Sequence, residues 1–195
     1  RQLPIEPPQT APRSKEVKAN VPLDALFKSW HIYSRLDKRY YVTDLITEIL
    51  SGGGSSRLYQ SLVKEKQLFS NIECSHYGSS DAGLLVIEGK LVKGVAMKDA
   101  EEALNIELNK LQNEGISELE LQKVKNKTES MMAFEDMSVM NRASSLAIYE
   151  LLGDADLINK ELERYHAVTS EELMNESRVI FNENNCNTLY YYAAS

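Results

Sequence analysis

Gly52, Gly53 and Gly54 stand in a row between two stretches of helical periodicity, and this interruption constrains the fold more than any other feature of the chain. Upstream, Val42, Leu45, Ile46, Ile49 and Leu50 fall on one face of a helix predicted over 39–50. Downstream, a second helix is predicted from about Ser56 to Lys66. Each glycine inside a helix costs backbone entropy, so three together end one helix and open a turn. Ser55 or Ser56 is placed to cap the helix that follows.

Strand patterns flank this joint. KEVKANV and ALFKSWHIYS alternate apolar and polar residues before it, and NIECSHYGSS and GLLVIEGKLV do so after it. Ser80, Asp81 and Ala82 supply the turn between the last two. The second half reads as helices. Met97, Ala100, Leu104, Leu108 and Leu111 form one apolar stripe, stopped by Gly115. Ser117 with Glu120 has the spacing of a capping box, and the helix it opens is predicted to run as far as Leu152, ended by Gly153. A short helix is expected within Asp154–Tyr165, and Thr169 with Glu172 repeats the capping-box signal for a last helix to about Phe181. TLYYYAA closes the chain as a strand. The expected class is α+β, an antiparallel sheet of about five strands covered by helices on one side. Pro4, Pro7, Pro8 and Pro12 cluster at the start, so residues 1–14 are expected to be an extended connector from an upstream half, and 15–195 a single domain.

Charge and reactive residues narrow the function. A net charge of −7 argues against nucleic-acid binding, which draws on clustered Lys and Arg. No apolar run is long enough for a membrane span. Two cysteines, Cys74 and Cys186, make no metal site, and a disulfide requires that their strands meet. His31, His76 and His166 are too far apart for an i,i+4 zinc pair, and neither H-E-x-x-H nor H-x-x-E-H occurs. There is no G-x-S-x-G elbow for a nucleophile. The acidic pairs Glu101/Glu102 and Glu171/Glu172 read as solvated helix faces. The glycine run matches neither a Walker loop nor G-x-G-x-x-G, and it follows a helix where those motifs follow a strand. A small-anion site at Gly52–Ser56 is therefore a weak reading, and a structural joint the natural one.

LSGGGSSRLYQSLVKEKQL, residues 50–68, resembles a motif of the pitrilysin/insulinase-like zinc peptidases, and specifically of their non-catalytic C-terminal half. DAGLLVIEGKL from Asp81 and NEGISELELQKVK from Asn113 extend the likeness, which spans about residues 13–193. The resemblance implies a clam-shell. A catalytic half, in the same polypeptide or a separate subunit, carries H-x-x-E-H and a further Glu that hold zinc and activate water. The present half then needs no cofactor of its own. It walls the chamber and helps hold an extended peptide substrate, including by strand pairing. The family links the Gly-rich turn to substrate handling in its processing peptidases, which makes Gly52, Gly53, Gly54, Ser55, Ser56, Arg57 and Tyr59 the candidate substrate-binding residues; no residue here is expected to be catalytic. Packing for Tyr59 and pairing with an acid for Arg57 stand as the alternatives. Many members carry an Arg and, seven residues later, a Tyr that reach the chamber; aligned on KEKQL, these positions are Val63 and Ser70. That loss keeps open a second reading, a structural or assembly subunit of the same fold, as in some respiratory complexes. The resemblance fits a bacterial periplasmic setting without fixing a compartment.

Overall fold

The structure, a computed structural model, describes residues 7–194. Five strands form one sheet in the order β1-β5-β2-β4-β3. They are β1 (Arg13–Ala19), β2 (Ala25–Ile32), β3 (Phe69–Tyr77), β4 (Gly83–Leu91) and β5 (Cys186–Ala193). The first part of the Pro-rich segment lies outside the described residues. Its end corrects the expected boundary, because Arg13 and Ser14 already pair with β5.

The sheet is mixed, not wholly antiparallel as expected. β5 pairs antiparallel with β2 but parallel with β1. Geometry requires this. β1 and β2 run in opposite directions, and a strand inserted between them must lie parallel to one. Nothing in the local pattern of TLYYYAA reveals that it inserts there.

Burial shows why the helices lie on one face. Along β2, Leu26, Lys28, Trp30 and Ile32 are buried, while Phe27, Ser29 and His31 between them are only partly so. β4 repeats the period with Leu85, Ile87 and Leu91 inward. Onto this face pack α1 (Arg39–Ser51), α2 (Met97–Glu114) and α6 (Ser170–Ile180). α1 contributes Leu45, Ile46, Ile49 and Leu50, all 2% exposed or less. Trp30 meets Phe181, just past α6, edge-to-face with centroids 5.0 Å apart. Cys74 and Cys186 are free thiols on β3 and β5, with β2 and β4 between them, roughly 14 Å at the usual strand spacing.

The helix predicted from Ser117 to Leu152 is in fact two, α3 (Glu118–Glu135) and α4 (Val139–Leu151). Ser138 is the reason: its backbone is extended, and its hydroxyl accepts the Asn141 N–H, capping a new start. A 3₁₀ turn (Ala155–Lys160) and α5 (Glu161–Ala167) fill the predicted 154–165 segment. The helix expected from Ser56 is also altered. After one α-helical step it becomes a π-helix, Tyr59–Glu65, in which Lys66 N–H reaches back five residues to Ser61 O.

Candidate functional site

The Gly-rich joint is held by one face of α3. Lys127 donates to Gly52 O at 2.8 Å and pairs with Glu48. Lys123 donates to Ser55 Oγ. Glu120 takes Arg57 Nε and Nη2 at 2.9 and 2.7 Å, while Arg57 also reaches Gly115 O at 2.9 Å. Residues 120, 123 and 127 recur at helical spacing, so a single face of α3 grips the turn from end to end. The two lysines also sit where the C-terminal end of the α1 dipole favours cations.

Inside the joint most backbone groups are consumed. Gly52 N–H caps α1 onto Glu48 O, and a Cβ at Gly52 would lie 2.4 Å from that oxygen. Gly53 has φ +101°, a conformation that L side chains rarely adopt, and its carbonyl accepts both the N–H and the hydroxyl of Ser56. Gln60 reaches back to Gly54 O. Of the five N–H groups from Gly52 to Ser56, those of Gly52, Gly53 and Ser56 are donated within the joint. The remainder do not make a phosphate cradle. Ser56 is buried, whereas Gly53, Gly54, Ser55 and Tyr59 face solvent.

The structure therefore splits the predicted set. Arg57 is a tie between elements, paired with an acid. Gly52 and Ser56 shape the turn. Gly53, Gly54, Ser55 and Tyr59 form an exposed rim. Val63 packs against the core, and Ser70 donates to Lys90 O at 3.1 Å. Sequence reading missed Ser51, whose hydroxyl both accepts Cys74 N–H at 2.8 Å and donates to Cys74 O at 2.9 Å. It thereby blocks the middle of the outer edge of β3. No local signal marks such a contact across 23 residues.

Ser117 and Glu120 also depart from expectation. Ser117 accepts the Glu120 N–H at 3.2 Å, but the Glu120 carboxylate turns to Arg57 and the box is only half made. Thr169 and Glu172 complete theirs. Glu101, expected to be solvated, instead binds Lys28 Nζ at 2.8 Å and the Tyr190 hydroxyl at 2.9 Å.

The residue chemistry does not suit a metal. Among the described residues, no three His, Cys, Asp or Glu side chains lie together. His76 is engaged by Asp44 at 3.0 Å, which also accepts the Tyr165 hydroxyl at 2.8 Å. Burial pushes the Cys74 thiol far up, away from the thiolate a metal or nucleophile needs. The described residues thus offer no donor set that suits zinc.

These elements make an α+β domain with an open five-stranded sheet and a one-sided helical cover. The family model of the peptidase M16 inactive domain matches residues 1–128. The chain belongs to this family, the non-catalytic half of the pitrilysin/insulinase-like peptidases. A curated relative, the uncharacterized zinc protease YmxG of Bacillus subtilis (strain 168), is 25% identical over 147 residues, covering 75% of this chain and 36% of that protein. A protease from Helicobacter pylori superposes with a TM-score of 0.90 at 19% identity, over 96% of this chain and 46% of its own. The inactive peptidase domain of a zinc protease from Bordetella parapertussis gives 0.80 at 18% identity, over 92% of this chain and 95% of that one. A chain of complex III2 from Candida albicans gives 0.75 at 16% identity, over 90% of this chain and 44% of that one. The chain thus spans about a third of the curated relative and under half of the Helicobacter protease. No described helix is long and apolar enough to cross a membrane.

Proposed function

We propose that this domain is the non-catalytic wall of a peptide chamber in a zinc-dependent peptidase, with zinc and the general base supplied by a companion half. Membership of the M16 inactive-domain family carries the reading. Two features support it: the donor chemistry for zinc is lacking among the described residues, and the curated relative and the Helicobacter protease are each about twice as long as this chain. Residues 1–14 are the connector in this scheme, apart from the last two, which join the sheet. The wall acts by enclosing and orienting an extended peptide, an effect that lowers barriers without a reactive group. The rim of Gly53, Gly54, Ser55 and Tyr59 meets the peptide, while Gly52, Ser56 and Arg57 hold that rim in shape.

The test is reconstitution. The companion half alone should cleave a peptide slowly, and addition of this chain should restore activity. A companion half with full activity alone would overturn the wall. So would peptide hydrolysis by the pure chain that a zinc chelator abolishes. Gly53→Val, in a folded variant, should weaken peptide binding at the rim; unchanged affinity removes the rim from the proposal.

The rival is a structural subunit with the same fold. Val63 and Ser70, standing where family members present polar groups to the chamber, favour it, and the complex III2 likeness shows where such a fold occurs. A companion half without H-x-x-E-H would decide for it.

A further inference from the structure

A concave surface lies on the helical side of the sheet, at the β5–β1 side and away from the β3 side where the Gly-rich joint sits. It is a cavity of about 440 Å³ where the helical cover ends over β5 and β1. This volume falls within the usual range for small-ligand sites. Its wall is α2, which presents Asn105, Asn109 and Gln112 at i, i+4 and i+7. These three amides therefore form one stripe. Its floor is apolar, with Trp30, Leu108 and Phe181.

The floor also holds a built polar group. Lys28 is 7% exposed, and its ammonium donates to Glu101 Oε1 at 2.8 Å and Asn105 Oδ1 at 3.2 Å. An ammonium carries three N–H groups, and these two acceptors take two of them. Asn105 spends its oxygen on Lys28, which leaves its NH₂ to donate. The Gln112 side chain makes a long contact, 3.5 Å, to Ser177 O, while its backbone carbonyl accepts from Arg178 Nε at 2.7 Å.

Donors and acceptors in a row, over an apolar floor, match a ligand that alternates C=O and N–H groups along an extended line. The spacing agrees as well. Asn105 and Asn109 are separated by a helical rise of about 6 Å. Residues i and i+2 of an extended peptide lie about 6.6 Å apart. Hence two side-chain amides on this helix meet two successive main-chain groups on one side of a strand-like peptide. Arg13 and Glu183 stand on the lining with opposite charges, so peptides of either terminal charge have a partner.

We propose that this α2–β5 groove binds about three residues of an extended peptide through main-chain recognition by Asn105, Asn109 and Gln112. It shares with the chamber reading only the ligand class. It needs no companion half, so the two ideas fail separately. The occupant is recognised by its backbone and has a weak side-chain preference.

The test is titration of the ¹⁵N-labelled chain with acetyl-trialanine amide, followed at the side-chain amide signals of Asn and Gln. Asn105, Asn109 and Gln112 should shift together and saturably. A peptide N-methylated at its central residue should bind several-fold more weakly, because it loses a main-chain donor. Asn109→Ala should weaken binding by about three- to ten-fold, the worth of one hydrogen bond. Asn109 is exposed and its side chain ties no element together, so that variant should fold. Asn126→Ala on α3 should bind as the parent does. No saturable shift of the three amides would overturn the proposal, as would equal binding of the N-methylated peptide.

Discussion

The joint between α1 and β3 and the α3–α4 hairpin both carry large apolar side chains at helical spacing, yet they treat them in opposite ways. In the joint, Leu58 and Leu62 are fully buried, and Ser61 and Lys66 from the same segment bind Glu107. In the hairpin, Phe134, Met137, Val139, Met140 and Leu151 are each more than 70% exposed. α4 is held mainly at Tyr149, which is 2% exposed and accepts from Arg35 at 3.1 Å. Arg35 in turn reaches Glu161 on α5 at 3.2 Å. Periodicity announces a helix in both places. What differs is whether another element lies opposite, and that is decided by topology. The region whose backbone and charges are tied to α2 and α3 is the one that carries the candidate rim.

The largest effect should separate the two regions directly. Leu62→Ala removes a side chain with no exposure and should cost about 2–5 kcal/mol, as buried leucines do. Met140→Ala should change stability by less than about 0.5 kcal/mol. Urea denaturation of both variants measures the contrast. A Met140→Ala loss approaching that of Leu62→Ala would show that the exposed face of α4 is buried in solution, and the comparison would collapse.

Next in size is the grip of α3. Arg57→Ala leaves Glu120 and Gly115 O without their donor and should cost about 1–2 kcal/mol, less than a fully buried charge pair because both partners are about a quarter exposed. The loss should be non-additive with Glu120→Ala in a double-mutant cycle. Additive losses would mean that the pair only decorates the surface.

A smaller effect is expected at Gly53. Its φ of +101° disfavours a side chain, while no atom lies within 4 Å of an added Cβ. Gly53→Ala should therefore cost about 1 kcal/mol through backbone strain alone. At Gly52 φ is −67° and carries no such strain, but the added Cβ meets the Glu48 carbonyl, so Gly52→Ala should cost more than Gly53→Ala. Equal losses would show that the end of α1 relaxes to relieve the clash.

These contrasts also mark what could be read from the residues. The strands, the stripe of α2, the capping box of Thr169 and the joint itself are local signals, and each appeared close to its place. Chain segments distant in sequence wrote the rest. Ser138 lies inside the run read as one continuous helix, and only the backbone turn before it makes it an N-cap. The parallel β1–β5 pair depends on where β5 inserts. Arg57–Glu120 spans 63 residues, and the half-made capping box at Ser117 is its cost to local order. For the candidate site, type and spacing located the turn, but could not show that α3 takes up Gly52 O, the Ser55 hydroxyl and the Arg57 guanidinium.

The smallest effect sits at Glu107, where the joint meets α2. Burial alone would raise its carboxyl, but donation from Ser61 at 2.7 Å, Lys110 at 3.0 Å and Lys66 outweighs it and holds the group below its ordinary value. A depressed carboxylate stabilises the fold at pH above its unfolded value, about 4.3 for a glutamate, and the contribution fades as pH falls toward the lower folded value. The parent should thus lose stability across that acid window relative to Glu107→Gln, which does not titrate there. Above it, the difference between the two should be constant. Chemical denaturation of both proteins at a series of pH values checks the sign. A difference that grew in favour of the parent as pH fell would mean that burial prevails and the carboxyl is raised. The joint would then carry an uncompensated desolvation, and its attachment would have to rest on Leu58, Leu62 and the α3 face alone.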